Sequence, residues 1–331
     1  MHSLEKNLQQ RILVLDGAMG TVLQSLKLQD EDFHLKKLPK HICSEKRYFE
    51  FLNISRPETV LNIHDLYLAA GADIICTNTI NANTIMLEDF HDNHLSYMLN
   101  FAGAQLAKKA ARLYSTDAKP RYVAGIVGPT HKIATSLKPL NGNTIPYISR
   151  EKLREAYENQ IKGLIDGGVD IIYLETVFAY ENAMIALEAY EDLMRKEAVR
   201  LPVMLSVCIV NRRDVDYFGR PLKAVYKAFS DKPLAAFGVN CTPFSEQLVH
   251  AISALDRISE KPILISPNAV NSHNPQKYCE SAQDIFENLK PILDKKILNI
   301  IGGCCGTTPE FTKKMAHACI LKIPRPLFSK Q

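Results

Sequence analysis

Tryptophan is absent from all 331 residues. Its absence removes the best wall of an aromatic cage for a quaternary ammonium ligand, although Tyr and Phe can stand in. No apolar run approaches the roughly 20 residues of a membrane-spanning helix. The start, Met1-His2-Ser3-Leu4-Glu5-Lys6, lacks the apolar core of a secretion signal. One-sided charge is missing too: 40 Lys and Arg against 36 Asp and Glu leave +4, with no cluster. Neither a nucleic-acid patch nor a polybasic membrane segment is indicated. The eight cysteines are too sparse, and too often inside apolar runs, for a secreted disulfide framework. The expected compartment is the cytoplasm, and no internal repeat or low-complexity tract interrupts the chain.

What is present is a 46% apolar composition, enough for a large core, in a chain long enough for two average domains or one large α/β barrel. Short β-branched runs recur at Ile12–Leu15, Asp73–Cys76, Tyr122–Val127, Asp170–Leu174, Pro202–Val207, Leu234–Val239, Pro262–Ile265 and Leu298–Ile301. None alternates cleanly, as expected of parallel strands covered on both faces. Helical spacing marks Pro57–Ala70, Arg150–Asp166, Glu181–Arg195, Gln247–Ile258 and Gln283–Leu293, with Pro57 in a first turn, Ser149 as a cap and Gly71 and Gly167 as stops. Eight strands alternating with helices predict a single-domain α/β fold, a (β/α)8 TIM barrel, with a doubly wound open sheet as the alternative. Residues 1–10 read as an N-terminal extension with an extra helix. Residues 11–320 read as the barrel, and 321–331 as a C-terminal tail, loose from Arg325 onward. The long segments Gln24–Asn53 and Thr130–Ile148 read as loops decorating the functional end.

Barrel chemistry gathers at the C-terminal ends of strands. Those ends carry Asp16-Gly17-Ala18-Met19-Gly20, Thr77-Asn78-Thr79, Gly128-Pro129-Thr130, Glu175-Thr176, Asn240-Cys241, Pro267-Asn268 and Gly303-Cys304-Cys305-Gly306. Three thiolates, from Cys241, Cys304 and Cys305, can hold a zinc ion tetrahedrally and leave one position open to activate a substrate thiol. Against this stand buried apolar cysteines or a vicinal redox pair. Cys76 and Cys208 read as core residues, and Cys43, Cys279 and Cys319 lack a comparable setting. Asp16 and Glu175 end apolar runs, where an unpaired carboxylate is costly. With no strand-end Lys or Arg on offer, a substrate ammonium satisfies both; backbone N–H bonds or a loop Arg are the alternative. The Gly128–Thr130 turn can offer two N–H groups to a substrate carboxylate.

Together these segments resemble the homocysteine S-methyltransferase family. The resemblance rests on Leu15-Asp16-Gly17-Ala18-Met19-Gly20-Thr21, Gly71-Ala72-Asp73-Ile74-Ile75-Cys76-Thr77-Asn78-Thr79, Gly128-Pro129-Thr130, Leu174-Glu175-Thr176, Gly238-Val239-Asn240-Cys241 and Gly302-Gly303-Cys304-Cys305-Gly306-Thr307. Tyr122–Thr130 and Leu174–Phe178 look most like the homocysteine-binding module of cobalamin-dependent methionine synthase. The resemblance implies a zinc-dependent enzyme that methylates homocysteine to methionine. In it Cys241, Cys304 and Cys305 are the metal ligands, Asp16 and Glu175 hold the amino group, and Gly128 and Thr130 hold the carboxylate. Asn78 and Asn240 line the pocket. The donor it implies first is methylcobalamin, supplied by another domain or protein. S-methylmethionine, S-adenosylmethionine or betaine are the family's other donors, betaine being disfavoured by the missing tryptophan. Selenocysteine is an alternative acceptor, and a non-catalytic zinc or thiol-binding barrel an alternative role. Reading Gly302-Gly303 as a phosphate turn would instead predict a basic strand-end residue, and none is present. Two departures stand out: Ile80 replaces the family's frequent Phe, and Cys208-Ile209-Val210-Asn211-Arg212-Arg213-Asp214 replaces its Thr- and Gly-rich loop after strand five.

Overall fold

A computed structural model describes residues 4–35, 48–88, 93–197, 200–210, 214–269 and 281–327. Its eight strands are β1 Leu13–Val14, β2 Ile74–Cys76, β3 Tyr122–Val127, β4 Ile171–Val177, β5 Val203–Val207, β6 Leu234–Pro243, β7 Ile263–Asn268 and β8 Ile300–Ile301. All neighbours are parallel, in the order β1-β8-β7-β6-β5-β4-β3-β2. The last seam closes through the parallel bridge Leu15–Ile74 and the bond from Asp16 N–H to the Ile74 carbonyl. This is the expected (β/α)8 barrel, and the open-sheet alternative falls.

Side chains alternate along each strand, which divides the core in two. Leu13, Leu15, Ile74, Ala124, Ile126, Ile171, Tyr173, Met204, Ala236, Leu264 and Ile300 fill the barrel interior. Their neighbours, among them Val14, Ile75, Val123, Ile172, Leu205, Phe237, Ile265 and Ile301, face the helices. The N-terminal helix Leu4–Gln10 adds Leu4 and Leu8 to the interior cluster, and Asn7 donates to the Tyr122 hydroxyl at 2.9 Å. It therefore plugs the N-terminal mouth.

Helices Pro57–Ala69, Arg150–Asp166, Tyr180–Glu197, Glu246–Asp256 and Ala282–Asp294 fall where periodicity places them. Ser149, Ser245 and Ser281 accept backbone N–H bonds as caps, satisfying first-turn donors. The 22-residue helix Asn93–Tyr114 was not legible. Its inward face is built on Ala104, Ala107, Ala110 and Ala111, all buried, so small residues pack there without a strong apolar stripe. The tail also departs from expectation. Arg325 is 2% exposed, its N–H bonds the Leu298 carbonyl, and its guanidinium bonds Asp256 at 2.6 Å and the carbonyls of Lys261 and Ser259. Arg325 is thus a bolt at the foot of the barrel.

Candidate active site

Strand parity decides which residues meet above the apolar interior. Leu264 faces inward, so Ser266 and Asn268 do too; Tyr173 sets Glu175, Met204 sets Ser206 and Cys208, Ala236 sets Asn240, and Ile300 sets Cys304. Parity alone would send Cys241 outward, behind inward-facing Asn240. The chain instead turns at Cys241 with φ 50°, and the β6–β7 ladder slips between Asn240 and Pro243. A left-handed conformation for a non-glycine residue costs on the order of 1–3 kcal/mol and is held by its surroundings. Thr176, with φ 58°, makes the same departure where the β4–β5 register shifts.

The result is a cluster of three thiols. The Cys241 and Cys305 sulfurs lie 3.9 Å apart, those of Cys304 and Cys305 4.0 Å, and all three within 4.8 Å of one another. Tetrahedral ligands at zinc–sulfur distances of about 2.3 Å stand about 3.8 Å apart, so the cluster fits a metal ion. Backbone bonds hold it in place. The Gly303 N–H bonds the Asp16 carbonyl, the Cys304 N–H that of Pro267, and the Cys305 carbonyl accepts from Ala269. The Gly306 N–H reaches the Thr21 hydroxyl at 2.9 Å, and the Thr307 hydroxyl returns to the Cys304 carbonyl at 2.7 Å. Gly303 must be glycine, because a Cβ there would stand 2.4 Å from Thr307 Oγ1. Hydrogen bonding among the thiols and burial push the Cys304 thiol well up. A bound cation is what makes ionisation of such a trio favourable.

The acids lie beside it. Asp16 accepts the Cys76 N–H at 2.8 Å and is 4% exposed; burial pushes its carboxyl up to about 7 against that bond. Glu175 rises to about 8 through burial, then the charge of Asp16 and Cys305. Neither has an ion-pair partner among the described residues. Glu175, Gly128 and Pro129 also border a cleft that runs back between β3, β4 and the helices Arg150–Asp166 and Tyr180–Glu197, where Tyr157, Asn182 and Ala183 line it. Thr130 is buried, its hydroxyl bonded to the Lys132 carbonyl and to Asn182. Asn240 joins the two groups: its amide donates to Thr176 Oγ1 at 2.7 Å and approaches Glu175 at 3.4 Å and Cys304 Sγ at 3.9 Å. Asn78 is different. Its amide hydrogens go to the Phe49 carbonyl and Asn53, so it anchors the segment behind β2.

Cys76 packs against the interior cluster as expected of a core residue, whereas Cys208 borders the thiol trio. Both are partly exposed. Burial and the charges of Asp16 and Glu175 push the Cys76 thiol up, and Cys208 Sγ contacts the Cys241 carbonyl at 3.4 Å. Sequence reasoning also passed over Tyr173 and Ser206, which lie below Asn240; counting in twos from Ile171 and Met204 would have found them. Asn268 Oδ1 is buried without a partner among the described residues, on the same inward face.

Of the two departures, Ile80 packs against the interior cluster, its carbonyl only 2.2 Å from where a Gly128 Cβ would stand. In the strand-five loop, Asn211, Arg212 and Arg213 lie outside the described residues, as do Cys43 and Cys279. The remainder is clasped to its neighbours. The Tyr217 carbonyl accepts from Leu140 N–H at 3.0 Å, Tyr217 meets Phe178 edge-on at 5.9 Å, and Arg220 pairs with Glu181 at 2.8 Å.

The fold is similar to that of the homocysteine methyltransferase MmuM from Escherichia coli. Its oxidised form superposes with a TM-score of 0.70 at 24% identity, over 93% of this chain and 96% of that one. Its metallated form gives 0.68 at 23% identity over the same shares. At such identities the likeness speaks for the fold. A family profile described as homocysteine S-methyltransferase matches residues 13–319, which include all three thiols and both acids. The chain belongs to the homocysteine S-methyltransferase family.

Proposed function

We propose that this methyltransferase binds one zinc ion through Cys241, Cys304 and Cys305 and methylates homocysteine to methionine. The observation that carries the reading is the spacing of three thiols from two distant strand ends at the open mouth of the barrel. Bound zinc would lower the pKa of the substrate thiol, so that the sulfur is present as thiolate at neutral pH. Around that position Asp16 and Glu175 accept the substrate ammonium, and the Gly128–Thr130 turn faces its carboxylate. The homocysteine sulfur then attacks the donor's methyl carbon in line. A carbon–sulfur bond forms as the donor–methyl bond breaks, and its electron pair leaves with the donor. The chain needs no general base beyond a route for the thiol proton to solvent.

The donor we favour is methylcobalamin carried by another domain or protein. The support is the likeness of Tyr122–Thr130 and Leu174–Phe178 to the cobalamin-dependent subgroup. Metal analysis and donor-by-donor assay test this together. One zinc per chain and turnover with methylcobalamin are expected, both lost in Cys241→Ser, Cys304→Ser and Cys305→Ser. Turnover by a metal-stripped triple variant would sink the reading, and turnover with S-methylmethionine or S-adenosylmethionine alone would replace the donor.

A further inference from the structure

Beneath the thiols runs a buried polar row that the reaction as described leaves unused. It comprises Tyr173 on β4, Ser206 on β5 and Asn240 on β6, each 0% exposed and each on the inward face of its strand. Tyr173 Oη lies 2.8 Å from Ser206 Oγ, and Ser206 donates to Asn240 Oδ1 at 2.8 Å. Serine has one hydroxyl hydrogen, and the amide oxygen can only accept. The hydrogen between Tyr173 and Ser206 is therefore the tyrosine's, and the chain has one direction: Tyr173 to Ser206 to Asn240.

Direction matters because of what Asn240 does at its other end. Its Oδ1 receives a second donor, the Thr176 N–H at 3.1 Å, which the left-handed turn at Thr176 aims inward. Two donors on Oδ1 fix the amide face; a flipped amide would set its N–H groups against the N–H of Thr176. Nδ2 is thereby committed to the site side, where Thr176 Oγ1, Glu175 Oε1 and Cys304 Sγ stand at 2.7, 3.4 and 3.9 Å. Of the three sulfurs, Cys304 is the one this amide faces.

We propose that Tyr173 and Ser206 are positioning residues for the metal centre, acting through Asn240 to aim an N–H at the Cys304 sulfur and to steady Glu175. This rests on the reading of the thiol trio as metal ligands and adds that the three sulfurs are inequivalent. The one under Asn240 carries less charge, because an N–H donor draws on its lone pairs. Buried, fully bonded rows of this kind act as a unit, so removing one member disturbs the next.

The test uses the full chain, loaded with zinc or cobalt(II), in Tyr173→Phe, Ser206→Ala, the double variant and Asn240→Asp. Outer-layer partners of metal ligands typically contribute ten- to hundredfold in affinity. Zinc affinity in chelator competition is expected to fall about tenfold in Ser206→Ala, about threefold in Tyr173→Phe and about a hundredfold in Asn240→Asp, where a carboxylate faces the sulfur. The double variant should match Ser206→Ala, since Tyr173 acts through that hydroxyl. In the cobalt form the thiolate-to-metal charge-transfer band should move to lower energy in both single variants. A merely structural role would lower the melting temperature and leave that band in place. Unchanged zinc affinity and cobalt spectra in both single variants overturn the proposal, as does full additivity in the double. Should Ser206→Ala not fold, Tyr173→Phe, which keeps the ring, decides alone by the cobalt band. Wild-type protein that takes up no zinc would sink the proposed function itself, an outcome distinct from loaded variants that behave as wild type.

Discussion

On the proposed placement of the substrate ammonium, two carboxyls raised to about 7 and about 8, with no ion-pair partner among the described residues, should release protons when substrate binds. At pH 7 a group titrating at about 7 is half protonated and one titrating at about 8 is nine-tenths protonated. Adding 0.5 and 0.9 gives about 1.4 protons for ligand-free Asp16 and Glu175. An ammonium between them favours both carboxylates, so those protons leave. Methionine is the better titrant than homocysteine, because its thioether has no proton to lose on meeting the metal. Calorimetric titration at pH 7 in two buffers of different ionisation enthalpy should read a release of about 1.4, or about 1 if the pair shares one proton tightly. Raised acids hold protons in the free protein, so affinity must increase with pH. The expected gain is about tenfold per unit and per proton between pH 6 and 8, flattening above. Glu175→Gln should cut the release to about 0.5, the share left to Asp16. Zero proton exchange with flat affinity from pH 6 to 8 would refute the reasoning: either the acids are ionised already, or they do not meet the ammonium.

Asp16 also makes a stability prediction. Its folded pKa lies above the unfolded value of 3.8, so its contribution is full below pH 4 and is lost as pH climbs through about 7. Urea unfolding should therefore show Asp16→Asn gaining on the wild type across that window, and a constant difference would contradict the burial effect. Arg325→Met removes a buried guanidinium from Asp256 and its carbonyls and should cost about 3 kcal/mol in the same assay; an unchanged midpoint would return the tail to the loose state expected from sequence. Gly303→Ala forces a Cβ against Thr307, which at roughly 1–3 kcal/mol of overpacking should weaken zinc binding about tenfold or more while circular dichroism stays that of the barrel.

How much of this was legible beforehand depends on how local the cause is. All eight strands could be read because a buried parallel strand must be apolar on both faces, and Tyr122–Val127 was found to the residue. Helix Asn93–Tyr114 could not, because alanine packs closely without marking a stripe. Arg325 could not, because a chain end with Lys322, Arg325 and Pro326 looks solvated until Asp256 and three carbonyls, contributed by residues about 65 positions earlier, close around it. The paired cysteines were readable from their glycines, since two adjacent side chains can serve one ion only where the backbone has room.

Cys241 is the instructive case. Its place at a strand end suggested the metal, yet strict alternation after Ala236 and Asn240 would turn it toward the helices. What brings it back is a left-handed residue at a ladder slip, and no propensity scale assigns that conformation to cysteine. The strain has to be repaid by the surroundings, and on the metal-free chain only loop and ladder bonds oppose it. Loading the trio with metal should add directly to the opposition, because the ion binds the folded arrangement and not the unfolded chain. Zinc should then protect the amides of Asn240–Thr242 and Gly303–Thr307 from hydrogen exchange far more than those of β3, which the metal does not touch. Uniform protection over the whole barrel would mean that the left-handed turn is stable without the ion, and that Cys241 is held for packing rather than for a metal.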